Sequence, residues 1–123
     1  MILHITTDKE WGKAQVEGEY IAPSLKTDGF IHCSTPKQTV DTANGFFKGQ
    51  SGLVLLCVDE NKIKSELKYE DPTGVGGQYD PRDSNLFPHI YGPINNSAVI
   101  KVVDFPSDEY GLFELPKEIE KNL

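Results

Sequence analysis

The chain has 123 residues, 37% hydrophobic and 25% charged, which suits one domain spanning 1–123 with a core of modest size. Lys and Arg number 12 against 19 Asp and Glu, giving a formal net charge of -7 spread evenly along the sequence. That balance argues against DNA, or an anionic membrane, as the main partner.

The opening ILHIT has no signal-peptide character, and the longest purely apolar run, Leu53 to Val58, is far too short to span a bilayer. A cytoplasmic protein is therefore expected. Cys33 and Cys57 lie in apolar, strand-like segments and read as reduced, buried thiols; their spacing matches no metal motif.

Met1 to Thr6 reads as a strand. Thr7 with Glu10 three residues later forms a capping box, so a helix is expected from there to Gly18, with Trp11 and Ala14 facing inward. A loop containing Pro23 follows. Phe30 to Ser34 reads as a second strand. Thr35 and Pro36 then supply an N-cap and a first-turn proline, and Val40, Ala43 and Phe47 recur at helical spacing. Leu53 to Val58 reads as a buried central strand. A polar turn or short helix over 60–66 leads to a short strand at Leu67 to Glu70. Residues 71–85 are rich in Gly, Pro and Asp and read as a long loop, whose GVGG run is wrongly placed for a dinucleotide fingerprint. FPHIYGPI follows, then a long strand from Ala98 to Phe105. An acidic, amphipathic tail covers about 106–123, with Pro116 opening a short helix. The order implies an α+β fold with a mostly antiparallel sheet and two N-terminal helices.

The three histidines, His4, His32 and His89, each sit inside a short apolar segment. Strand alternation places Ile2, His4 and Thr6 on one face, with Leu3 and Ile5 on the other. Likewise Phe30, His32 and Ser34 oppose Ile31 and Cys33, and Phe87, His89 and Tyr91 oppose Ile90. In each case one face carries the plainest aliphatics and the other mixes imidazole, hydroxyl and aromatic groups. That pattern suits a sheet with one face on the core and the other lining a cleft, where the three imidazoles would meet. Imidazole suits a cleft because it donates, accepts or ligates at neutral pH.

Other candidates surround these segments. Ser34 either joins His32 in the cleft or caps the following helix. Tyr91 and Phe30 can stack on a planar ring. Glu70 is either a catalytic carboxylate or, as composition favours, a solvated surface group. Arg82 can fork onto a phosphate or pair with Asp80 or Asp83.

The segments LHIT, SLKTDGFIHCST, NGFF, LVLLCVD, LKYE and FPHIYGPI, in that order and spacing, resemble the small bacterial family catalogued as domain of unknown function 952. The likeness runs from Ile2 to about Val103. That family is in turn distantly similar to the ADP-ribosyltransferase superfamily, which includes the RNA 2'-phosphotransferases. The resemblance implies an ADP-ribosyltransferase-like split sheet whose cleft takes NAD or an ADP-ribose-type nucleotide. It implies that His4 bonds a ribose hydroxyl and that His32 lies near the nicotinamide. Glu70 stands nearest to the glutamate that steadies the oxocarbenium-like transition state, with His89 and Tyr91 as its replacements. Two other readings compete: a metal site of the three histidines with Glu70 as fourth ligand, and a non-enzymatic interaction domain with structural histidines.

Overall fold

The computed structural model describes residues 1–71 and 86–120. Strand β1 (Ile2–Thr7) runs directly into helix α1 (Asp8–Glu17). Thr7 stays extended, and its side-chain oxygen accepts the Glu10 backbone N–H at 3.0 Å. Gly18 ends the helix at φ 92, in the left-handed region where a glycine carries no Cβ penalty. Where a plain loop was expected, a two-residue strand β2 (Glu19–Tyr20) and a one-turn helix α2 (Ser24–Thr27) follow.

Strand β3 covers only Ile31–His32, shorter than the expected Phe30 to Ser34. The chain changes partner within that stretch. The Cys33 N–H still donates to Pro88 O at 3.0 Å, but Ser34 exchanges both backbone bonds with Leu3, at 2.7 and 2.8 Å. Thr35 then caps helix α3 (Pro36–Phe46) in a capping box with Gln38. Strands β4 (Leu53–Val58), β5 (Glu66–Glu70), β6 (Phe87–Tyr91), β7 (Ile94–Asn95) and β8 (Val99–Asp104) complete the sheets, and a one-turn helix α4 (Lys117–Glu120) lies in the tail.

The result is an α+β fold with antiparallel strand pairing, split into sheets ordered β1-β4-β8, β2-β7 and β3-β6-β5. Two layers of core enclose β1 and β4. On one side Ile2, Val54, Leu56 and Val58 meet Ala14, Tyr20, Ile31, Ile90 and Ile94. On the other, Leu3, Ile5, Leu55 and Cys57 meet Ala43, Val103, Phe105, Phe113 and Ile119. Strand β4 is therefore buried along its whole length, as its unbroken apolar run implied.

The expectation that β1 would pack one face and open the other into a cleft is not met. Helix α1 and Tyr20 cover the first face, while α3 and the tail residues Phe113 and Ile119 cover the second. Both cysteine thiols are free and buried, and desolvation pushes both pKa values up. Among the described residues no helix is long and apolar enough to cross a membrane.

Because Leu56 is 0% exposed between two packed layers, Leu56→Ala is expected to lower the unfolding free energy by about 2–5 kcal/mol in urea titration. The same truncation at Ile100, 52% exposed on β8, is expected to change it by less than about 0.5 kcal/mol.

Candidate functional site

Sheet β3-β6-β5 turns Ile31, Leu67 and Ile90 toward the core. Alternation then puts Phe30, His32, His89, Tyr91, Lys68 and Glu70 on the opposite face. The register sets His32 directly across from His89, and His89 directly across from Lys68 on the other side. Residues separated by more than fifty positions thus become neighbours on one rigid surface.

Phe30 is the floor of this cluster. Its ring stacks on His89 at 4.0 Å and 19°, and lies 4.7 Å from His32 and 5.4 Å from Tyr91. The two imidazoles meet edge to face at 5.4 Å. His89 is 1% exposed, and its Nδ1–H donates to Glu70 Oε1 at 3.1 Å. The Tyr91 hydroxyl donates to the same oxygen. Burial lowers the His89 pKa, against the opposing pull of Glu70, and so favours the neutral ring. The bond to Glu70 is the main cause that pushes the Tyr91 pKa up to about 12, so the phenol stays protonated. Glu70, read from composition as a solvated group, is only 9% exposed; the two side-chain donors take over from solvent water.

The rim is more open. His32 is half-exposed, and its Nε2 lies 2.8 Å from Asp28 Oδ2. Lys68 holds its ammonium 4.9 Å above the Tyr91 ring and 3.5 Å from Glu66. Sequence reasoning singled out neither Asp28 nor Lys68. Alternation from Glu70 could have found Lys68, two positions earlier on the same strand face. Asp28 precedes the strand, where no periodic signal reaches it.

Five of the candidates therefore come together: Phe30, His32, Glu70, His89 and Tyr91. Arg82 lies outside the described residues. Ser34 stands apart, because its backbone pairs with Leu3 and its buried Oγ sits 2.8 Å from Thr39 Oγ1. The helix cap is Thr35, not Ser34.

His4 is the main correction. It was expected to share a recess with His32 and His89, but it lies 7% exposed within the core, across from Leu56. Its Nδ1 is 2.6 Å from His32 O and its Nε2 is 2.8 Å from the Tyr20 hydroxyl. Burial lowers its pKa from 6.5 to about 4, so at neutral pH the ring carries one N–H. A carbonyl only accepts, so that proton sits on Nδ1, and Nε2 accepts from Tyr20. The Tyr20 oxygen also lies 2.9 Å from Thr6 Oγ1, which closes the network. Both ring nitrogens are occupied, because β2 delivers Tyr20 across that face of β1. The three-histidine metal reading loses a ligand here, and among the described residues no group of three His, Cys, Asp or Glu side chains is placed to hold a metal ion.

The family described as "Protein of unknown function (DUF952)" matches residues 5–102. No curated protein matches the chain. The crystal structure of protein CC0527 from Caulobacter crescentus is similar at 32% identity, with a TM-score of 0.81 and 97% of each chain covered. A double mutant of that protein gives 0.80 at the same identity and coverage. Its solution NMR structure gives 0.75, covering 95% of this chain and 94% of that one.

The His4 network carries a pH dependence. Folding lowers the His4 pKa from 6.5 to about 4, so between those values the unfolded chain binds the extra proton and acid favours unfolding. The His4 contribution is complete above the unfolded value and is lost as the pH falls toward the folded one. Urea titrations are expected to show about 2 kcal/mol less stability at pH 5 than at pH 7 from this group, with His89 adding in the same direction. Wild type with no loss over that interval would contradict a neutral, buried His4. In a second test, Tyr20→Phe is expected to cost about 1–3 kcal/mol, by orphaning His4 Nε2.

Proposed function

The chain belongs to the DUF952 family, described as of unknown function, and we propose that it binds NAD or an ADP-ribose-type nucleotide on the outer face of β3-β6-β5 and acts there on the N-glycosidic bond. The observation that carries this reading is the Glu70 carboxylate, nearly buried and aimed by two donors beside a half-exposed imidazole.

Cleaving an N-glycosidic bond builds positive charge on the anomeric carbon and ring oxygen of the ribose. A fixed carboxylate in a site with little water stabilises that charge without reorganising. His89 and Tyr91 supply the fixing: both donate to one Glu70 oxygen, leaving the other for the sugar. The ribose-hydroxyl role that the family likeness gave to His4 is closed to it, since His4 has no free nitrogen, and His32 is the imidazole left to face the ribose. Lys68, exposed on the same face, offers the cation for a pyrophosphate. Phe30 is covered by His89 and acts as the platform beneath the imidazoles rather than as a base-stacking surface. With a net charge of -7 the protein gains no long-range steering of an anionic ligand, so recognition rests on short contacts.

Thermal-shift and calorimetric titration with NAD and ADP-ribose is expected to show binding, with His32→Ala weakening it about tenfold. Glu70→Gln keeps an acceptor for both donors. It is expected to leave ADP-ribose binding within about tenfold while slowing NAD hydrolysis about 100-fold. No thermal shift with either nucleotide at millimolar concentration would overturn the reading. Equal turnover by Glu70→Gln and wild type would remove the glycosidic chemistry.

A further inference from the structure

A second carboxylate stands at this site with a different partner. Asp28 Oδ2 is 2.8 Å from His32 Nε2, and the two side chains are 46% and 48% exposed. Asp28 closes helix α2: its N–H donates to Ser24 O at 2.7 Å, and the Gly29 N–H donates to the same oxygen at 3.1 Å. The Ser24 hydroxyl reaches forward to Phe30 O at 2.8 Å and ties that turn to the start of β3. Gly29 adopts φ 85, and this left-handed residue reverses the chain between the turn and the strand. A spacing of four is a routine contact along one helix, but here it joins a helix end to a strand, so the reversal has to be built.

His32 is also held by its backbone and by two rings. Its carbonyl faces His4 Nδ1, and its ring lies against Phe30 and His89. The carboxylate of Asp28 only accepts, so it fixes the ring proton on Nε2. The lone pair is then on Nδ1.

We propose that Asp28 and His32 form a general-base dyad that activates a hydroxylic acceptor, either water or an alcohol, for the ribosyl group. This rests on the nucleotide reading above, and it gives the two carboxylates separate tasks. As the acceptor oxygen bonds to the anomeric carbon, its proton passes to His32 Nδ1. The N-glycosidic bond breaks, and its electron pair leaves with the departing base. Glu70 faces the charge on the sugar, while Asp28, a positioning residue, faces the imidazolium. A half-exposed hydrogen-bonded pair of this kind contributes little to stability. A merely structural Asp28 would therefore leave the reactivity of His32 unchanged.

Carbethoxylation with diethyl pyrocarbonate, followed site by site with mass spectrometry, reads the nucleophilicity of each of the 3 histidines without any nucleotide. His32 is expected to react first, with His4 and His89, at 7% and 1% exposure, at least about tenfold slower. Asp28→Ala is expected to slow His32 about fivefold, Asp28→Glu to recover at least half the rate, and Gly29→Ala, which strains the reversal, to slow it as Asp28→Ala does. A His32 rate within twofold of wild type in Asp28→Ala would overturn the dyad. Adding ADP-ribose separates the two ideas. Protection of His32 supports nucleotide binding at the dyad. An Asp28 effect with no protection leaves the dyad standing and removes the nucleotide.

Discussion

One seam organises this molecule. Leu3 and Ser34 exchange backbone hydrogen bonds, and beside them His4 Nδ1 donates to the His32 carbonyl. Strand β3 has only two residues in its own ladder with β6, so it depends on this attachment to β1 for its position. Each such bond contributes about 0.5–1.5 kcal/mol when made, and leaves a larger penalty when one buried partner is lost. The seam also fixes direction. With its carbonyl turned to His4 and its neighbours Ile31 and Cys33 in the core, His32 presents its ring to the far side of the sheet.

Three imidazoles of the same chemistry thereby acquire three different characters. His4 is sealed, neutral and doubly bonded, and serves as a structural clamp. His89 is as deeply buried but bonds a carboxylate, so it orients Glu70. His32 alone is half-exposed, with its own carboxylate at Nε2. The carboxylates divide in the same way: Glu70 is withdrawn from water and shared by two donors, while Asp28 is open and paired with one ring. Environment rather than residue type separates the clamp from the groups on the outer face.

Much of this was legible before any coordinates. The cap at Thr7 and the capping box at Thr35 are local, and local hydrogen bonds leave local signatures. Alternation sorted Phe30 and His32 from Ile31, and His89 and Tyr91 from Ile90, because each strand has one face on the core. The same alternation misled at β1. It reports which residues share a face, but not whether that face is open, and the covers come from Tyr20 on one side and Phe113 and Ile119 on the other. Glu70 was ambiguous for a related reason. Its burial depends on the β5-β6 register, and neither strand encodes that by itself. Ser34 was misplaced because a strand that changes partner midway keeps the alternating pattern of one that does not.

The most direct measurement is a titration of isotopically labelled protein with ADP-ribose, followed through backbone amide resonances. The expected result is a set of shifts centred on His32, Lys68, Glu70, His89 and Tyr91, with the β8 amides from Val99 to Asp104 unmoved. An unchanged spectrum at millimolar ligand, or shifts centred on β8, would contradict a ligand site on the outer face of β3-β6-β5.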